Sequence, residues 1–181
     1  GLEEAINHAN EKGLTPKAII PVDLFGLPAR YRLIEEEAKK HNLFVLEDAA
    51  QGFGGEIQGK KAGSFGHVGA TSFFPAKPLG CYGDGGAVLT NDGQLAELMD
   101  SIRVHGKVTA TDLKGQTFEH DPKYFNMRIG MNSRLDTIQA AVLGAKLPGL
   151  SGVNEARREI ASRYREGLAG LPVELCVARD Y

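Results

Sequence analysis

Lys77 stands between two prolines in the stretch SFFPAKPLGCYGDGG, Ser72 to Gly86, after an apolar run and before a glycine-rich loop. A lysine in a surface loop needs no such frame. Pro75 and Pro78 fix local backbone angles and limit where the side chain between them can point. An amine whose pKa is lowered by desolvation or by nearby positive charge is a nucleophile, and its usual product is a Schiff base with a carbonyl. The framing therefore raises Lys77 from an ordinary surface cation to a candidate reactive amine.

Asp48 is the second candidate. It follows Glu47 at the end of LFVLEDAA (43–50), the most apolar strand-like run in the chain, and a carboxylate there needs a cation or a hydrogen-bond donor. A helix cap or a salt bridge would satisfy it. So would the protonated ring nitrogen of pyridoxal phosphate, for which an aspartate is a usual partner. Gln51 is placed to reach the phenolic oxygen or the face of such a ring, or else lies exposed. Ser72 precedes Lys77 by five residues, about 16 Å at full extension. The two can serve one small cofactor only if the chain turns between them, which Pro75 favours.

The glycines also contain a decoy. GGEIQGKK matches GxxxxGK from Gly54 to Lys60, but the next residue is Lys61 rather than Ser or Thr. The hydroxyl that would hold magnesium is missing, and the glycine-rich, strand-like AGSFGHVGATSFF follows where a helix should be. GCYGDGG is likewise not a dinucleotide fingerprint. Nucleotide triphosphatase chemistry is excluded on both counts.

The elements that must position these residues alternate between helix and strand signals, which argues an α/β domain with a largely parallel sheet. Residues 2–12 read as a helix ended by Gly13, KAIIPVDLFG as a strand interrupted by Pro21, and 29–41 as an amphipathic helix with Ile34 and Ala38 inward. LFVLEDAA switches from apolar to acidic as a buried parallel strand does on reaching the carboxyl edge of its sheet, where ligands bind. GATSFF (69–74) and GAVLTN (86–91) are further strands. A helix opens near Asn91 or Asp92, carries Leu95, Leu98, Met99 and Ile102 at helical spacing, and stops at Gly106. Residues 107–132 show no periodicity and read as a long functional loop. A helix over 133–147 with Ser133 as its N-cap ends at Pro148-Gly149, and another closes at Gly170.

The 181 residues suffice for one domain with a sizeable core, and 42% apolar with 24% charged residues is ordinary for a soluble globular chain. A net charge of −2 leaves no electrostatic footprint for nucleic acid or an anionic membrane, and the apolar runs are too short and broken to span a bilayer. Cys81 and Cys176 lie far apart without metal-ligand spacing, so neither a disulfide framework nor a metal site is expected and a reducing cytoplasm is the default setting. The chain opens on Gly1 and closes on Asp180-Tyr181 just after a strand-like PVELCV. Both ends read as cut, and a fragment of a longer protein is expected.

Taken together, EDAAQ, GKKAGSFGHVGATSFFPAKPLGCYGDGGAVLTN, RVHG and RIGMNSRLDTIQAAVL, in that order, resemble the DegT/DnrJ/EryC1/StrS family of pyridoxal-phosphate-dependent sugar aminotransferases, as does IPVDLFGLPA. The resemblance implies a three-layer αβα large domain of the fold type I transferases, with a mostly parallel mixed sheet and truncated at both ends. Residues 1–150 would form the core of the cofactor-binding domain, and 151–181 a linking helix and the start of a small C-terminal domain. It implies Lys77 as the cofactor-linking and catalytic lysine, Asp48 at the pyridine nitrogen, Gln51 beside the ring and Ser72 at the phosphate. Asn132 would reach the cofactor phosphate of a neighbouring subunit in a homodimer, while Arg134 and His105 are candidate substrate contacts. The implied reaction moves an amino group from an amino acid, with glutamate the expected donor, to a keto group of a nucleotide-linked sugar. VDLFGLPA, HGK and the long loop are similar to members acting on UDP-linked 3-keto hexuronates. A cyclitol aminotransferase and a non-catalytic, cofactor-binding regulatory relative are the alternatives, while the related sugar 3-dehydratases carry histidine where this chain has Lys77. Family members are roughly twice this length, and their front portion, with a Gly-Thr segment that anchors the phosphate, is not in this sequence.

Overall fold

A computed structural model of the chain describes residues 1–115, 117 and 120–176. Four strands form the main sheet, β1 (Ala18–Ile19), β2 (Phe44–Asp48), β5 (Val68–Ser72) and β6 (Gly86–Leu89), in the order β1-β2-β5-β6. The first two pairings are parallel and the last is antiparallel. Between β2 and β5, β3 (Glu56–Ile57) and β4 (Lys60–Lys61) form a small antiparallel hairpin. Its turn residues Gln58 and Gly59 both have positive φ, the conformation two-residue hairpins require. The GxxxxGK stretch is therefore a hairpin and no P-loop.

Helices α1 (Leu2–Glu11) and α2 (Tyr31–Lys40) cover one face of the sheet. Their apolar stripes meet it through Ile6 and Ala38, which cluster with Leu43 and Val45, while Leu2, Ile19 and Ile34 pack at the margin. Gly13 follows α1 at φ 72°, where a side chain would be strained. The expected strand KAIIPVDLFG keeps only Ala18–Ile19 and a bridge from Val22 to Asp48. Pro21 has no N–H for a ladder, and Leu24–Gly26 turns into a short 3-10 segment.

α3 (Gly93–Arg103) is capped by Asp92, whose carboxylate accepts the Gln94 and Leu95 amides at 2.8 and 3.1 Å. Its apolar stripe is half-buried at Leu95, Met99 and Ile102, and Leu98 is 40% exposed. The described residues within 107–132 carry more regular structure than their lack of periodicity suggests. They hold α4 (Ala110–Leu113) and a 3-10 turn (Pro122–Tyr124). Arg128 binds both oxygens of Asp112 at 2.6 Å and also donates to Ser101 Oγ and the Lys107 carbonyl. A polar tether of this kind leaves no hydrophobic period to read.

α5 (Thr137–Lys146) is capped three residues later than the sequence suggests, by Asp136 in place of Ser133. Ser133 stays outside the helix, because its amide donates to the Arg103 carbonyl and Asn132 bridges Val104. Pro148 and Gly149 do not break the chain away. They form a 3-10 turn that leads directly into α6 (Leu150–Leu168). The small-domain strand expected at PVELCV is not formed in Val173–Cys176, and residues 177–181 lie outside the described residues.

Two outcomes follow from the crossing of 104–107 over 126–132. A Cβ at Gly106, at φ 73°, would lie 1.8 Å from the Arg128 carbonyl oxygen, whereas one at Gly13 meets nothing within 4 Å. Gly106→Ala should cost roughly 3 kcal/mol or more in urea unfolding, and Gly13→Ala about 1 kcal/mol. The Arg128 guanidinium, aided by Thr109, holds the Asp112 carboxyl down at about 2, against an ordinary 3.8. Its contribution is present above 3.8 and is lost as pH falls through about 2. Amide exchange in 107–115 should accelerate over that window in the parent protein and not in Arg128→Met.

Candidate active site

Strand alternation decides which acid of β2 faces the site. Val45, Glu47 and Ala49 are buried at 1, 0 and 0% exposure, and Asp48 points the other way, half-buried. Its backbone is fixed on both sides. The amide donates to the Pro21 carbonyl at 2.9 Å, and the carbonyl accepts the Asp23 amide at 3.0 Å. Asp48 Oδ1 accepts the Ala50 amide at 3.0 Å and so holds the turn that follows. Among the described residues no donor reaches Oδ2, which is left open to a further partner. Gln51 closes this turn against the preceding segment, since its Oε1 accepts the Phe25 amide at 3.0 Å. Phe25 is held there at φ 56°, a strained position for an aromatic residue.

Ser72 ends β5. Because Asp48 registers with Ala70 and Ser72 with Gly86, the side chains of Asp48 and Ser72 share one face at the carboxyl edge of the sheet. The chain then turns, as a common site for Ser72 and Lys77 requires. Ser72 Oγ accepts the Phe74 amide at 3.2 Å, and the Lys77 amide donates to the Phe74 carbonyl at 2.9 Å. Lys77 is half-buried, and its Nζ has no hydrogen bond or ion pair among the described residues. Lys60, Lys61 and Lys146 all have partners. A half-buried lysine left without a counter-charge is a candidate for amine chemistry.

The loop carrying Lys77 is closed at its base and tied from outside. The Cys81 amide donates to the Phe73 carbonyl at 2.8 Å, and its fully buried thiol lies 3.0 Å from that oxygen and 3.1 Å from the Gly83 carbonyl. Gly80 passes so near Pro75 that a Cβ would sit 2.5 Å from the Pro75 oxygen. From α5, Gln139 Oε1 accepts the Tyr82 amide at 2.8 Å and Lys146 Nζ donates to the Gly80 carbonyl at 2.6 Å. Leu143 packs against Leu79 and Cys81 beneath them.

The remaining candidates lie elsewhere. Asn132 and Arg134 bond each other at 3.2 Å and line a cavity of about 900 Å³ beside β6, with Arg103 and Asp84. Asp48, Gln51 and Lys77 do not line that cavity. His105 is exposed at φ 69°, its amide tied to the Met131 carbonyl, and among the described residues it makes no hydrogen bond with Lys77.

The model of the DegT/DnrJ/EryC1/StrS aminotransferase family matches residues 1–180. The chain belongs to this family. Among its relatives is a UDP-N-acetyl-3-dehydro-alpha-D-glucosamine 3-aminotransferase from Acidithiobacillus ferrooxidans, 46% identical over 167 residues, which cover 91% of this chain and 42% of that protein. A family aminotransferase from Brucella abortus superposes with a TM-score of 0.81 at 56% identity over 92% of this chain and 42% of that one. The Streptomyces venezuelae protein DesV, solved with a ketimine intermediate, superposes at 0.78 with 42% identity, over 94% and 44% of the two chains. The chain thus spans less than half the length of these relatives.

Sequence reading alone did not single out Asp23, Cys81, Gln139 or Lys146. Asp23 had a signal, a carboxylate inside an otherwise apolar run. The α5 residues had none, since contacts 57 and 66 residues apart leave no local pattern. In this family member Lys146→Met should remove a charged hydrogen bond worth about 1.5 kcal/mol. Amide exchange across Lys77–Tyr82 should rise about tenfold while that of α1 and α2 stays unchanged.

Proposed function

We propose that the intact protein is a pyridoxal-phosphate-dependent aminotransferase that moves an amino group from an amino acid, with glutamate the expected donor, to a keto group of a nucleotide-linked sugar. The observation that carries this reading is the half-buried, unpaired Lys77 on a braced turn, at the sheet edge that also presents Asp48 and Ser72. The A. ferrooxidans relative favours a UDP-linked 3-keto sugar as acceptor.

The residues fit the cofactor. Asp48 Oδ2 lacks a donor and matches a protonated ring nitrogen, Gln51 stands beside it, and Ser72 offers a hydroxyl to a phosphate. When bound, the cofactor supplies an electron sink for charge developing at the substrate's reacting carbon. Asp48 keeps the ring nitrogen protonated by its negative charge. Lys77 Nζ would hold the cofactor through its carbonyl carbon, and the same amine, when free, is placed to remove and return the substrate proton. The loop's bracing limits how far that amine can stray between the two roles.

Asn132 and Arg134 line a cavity that Asp48 and Lys77 do not, which supports assigning them to the cofactor phosphate and substrate of a neighbouring subunit in a homodimer.

With pyridoxal phosphate the parent should show a visible absorbance band that Lys77→Ala lacks. Glutamate should bleach it, and Asp48→Asn should slow that step about 10²-fold with the band retained. A band unchanged in Lys77→Ala would overturn the assignment. A band that glutamate leaves untouched would instead indicate a cofactor-binding, non-catalytic relative.

A further inference from the structure

Asp23 and Glu47 are carboxyl groups with no exposed surface, brought together from different segments. Asp23 comes from the segment ahead of α2, and Glu47 from β2. Glu47 is held by the backbone, its Oε1 accepting the Gly63 amide and its Oε2 the Phe65 amide at 2.7 Å. Asp23 Oδ1 accepts the Tyr31 hydroxyl at 2.7 Å and the Ala29 amide at 3.0 Å. Asp23 Oδ2 is buried and has no donor. Tyr31, which binds Asp23, stacks on the Phe65 ring at 4.2 Å, and the Phe65 amide binds Glu47, so the two carboxyls share one buried pocket.

Two ionised carboxylates in this setting would repel across a poorly screened interior and leave Oδ2 unsatisfied. A single proton between them removes both defects. No facing cation takes the proton's place among the described residues that act on Glu47. Tyr31, from α2, is a phenol whose acidity burial suppresses, with Asp23 adding to the effect. Lys60, from β4, lies over the Phe65 ring at 4.9 Å and pairs with Glu35 of α2. Asp48, next along β2, faces the opposite side of the sheet.

The pair bears directly on the turn that presents the site. The Asp23 amide donates to the Asp48 carbonyl at 3.0 Å. Gly52 lies against the Asp23 side chain so closely that a Cβ there would sit 2.5 Å from Asp23 Cβ and 2.7 Å from Oδ2. A displaced Asp23 carboxyl therefore displaces Gly52, and with it Gln51 and Asp48. We propose that Asp23 and Glu47 hold one proton between them, and that this neutralised pair positions Asp48 and Gln51. The positioning role rests on the reading of those two residues as facing the cofactor.

Burial, with a further push from Asp23, lifts the Glu47 carboxyl to about 7 against the pull of the two amides. Its ordinary value is 4.5, so the stability it confers is complete below 4.5 and is lost as pH climbs through about 7.

The test uses the intact protein without cofactor. Infrared spectra should show a protonated-carboxyl stretch near pH 6 that fades through about pH 7. Glu47→Gln should abolish it, and Asp23→Asn should move its midpoint down by about one pH unit or more. Exchange of the Ala50 and Gly52 amides should quicken as the stretch fades. It should quicken about tenfold in Asp23→Ala, and lose its pH dependence in Glu47→Gln, whose amide still donates. A parent with no such stretch at pH 6, a titration unmoved by both polar substitutions, or exchange indifferent to them would overturn the proposal. Positive results in a protein that fails to bind pyridoxal phosphate would uphold the proton-sharing pair and remove the function proposed above.

Discussion

β2 carries two acids in consecutive positions, and the alternation of a strand sends them to opposite sides. Glu47 goes into the interior, where it binds the amides of Gly63 and Phe65. Asp48 goes to the carboxyl edge, where one oxygen caps a turn and the other is left open. Because both lie on one strand, neither can shift without the other. The interior carboxyl anchors the loop that feeds β5, and β5 delivers Ser72 and the Lys77 turn. Much of the site's geometry depends on Glu47 staying where it is.

The second constraint comes from α5. Gln139, Leu143 and Lys146 grip the lysine loop at Tyr82, Cys81 and Gly80. Each polar tether is worth about 1 kcal/mol, little against the whole fold but much against the local freedom of a loop. Together with the proline frame they give a flexible side chain a rigid base. That combination suits the two roles proposed for the amine, as anchor and as proton carrier.

The candidate site was largely legible in the sequence because its residues sit in compact local signals: an acid ending an apolar run, and a lysine between prolines before glycines. The strand and helix order was legible for the same reason, including Ile34 and Ala38 as the inner face of α2 and an opening of α3 at Asn91 or Asp92, of which Asp92 is the cap. What escaped was set by distant partners. α5 starts late because Asn132 and Ser133 are tied to Val104 and Arg103. The stretch 107–132 is held by Arg128 and Asp112, a polar pair with no periodicity. Pro148 and Gly149 carry α5 into α6 through a 3-10 turn, since a proline in the first turn of a helix leaves no bond unmade.

The relatives that this chain matches are more than twice as long. Within the segment described, the assignment of Lys77 as the cofactor-binding amine organises the rest. The most direct measurement is to load the intact protein with pyridoxal phosphate, reduce it with borohydride, digest it and locate the attached pyridoxyl group by mass spectrometry. The expected result is one modified peptide, with the group on Lys77. A group found on Lys60, Lys61 or Lys146 in its place, or no attached group at all, would contradict it.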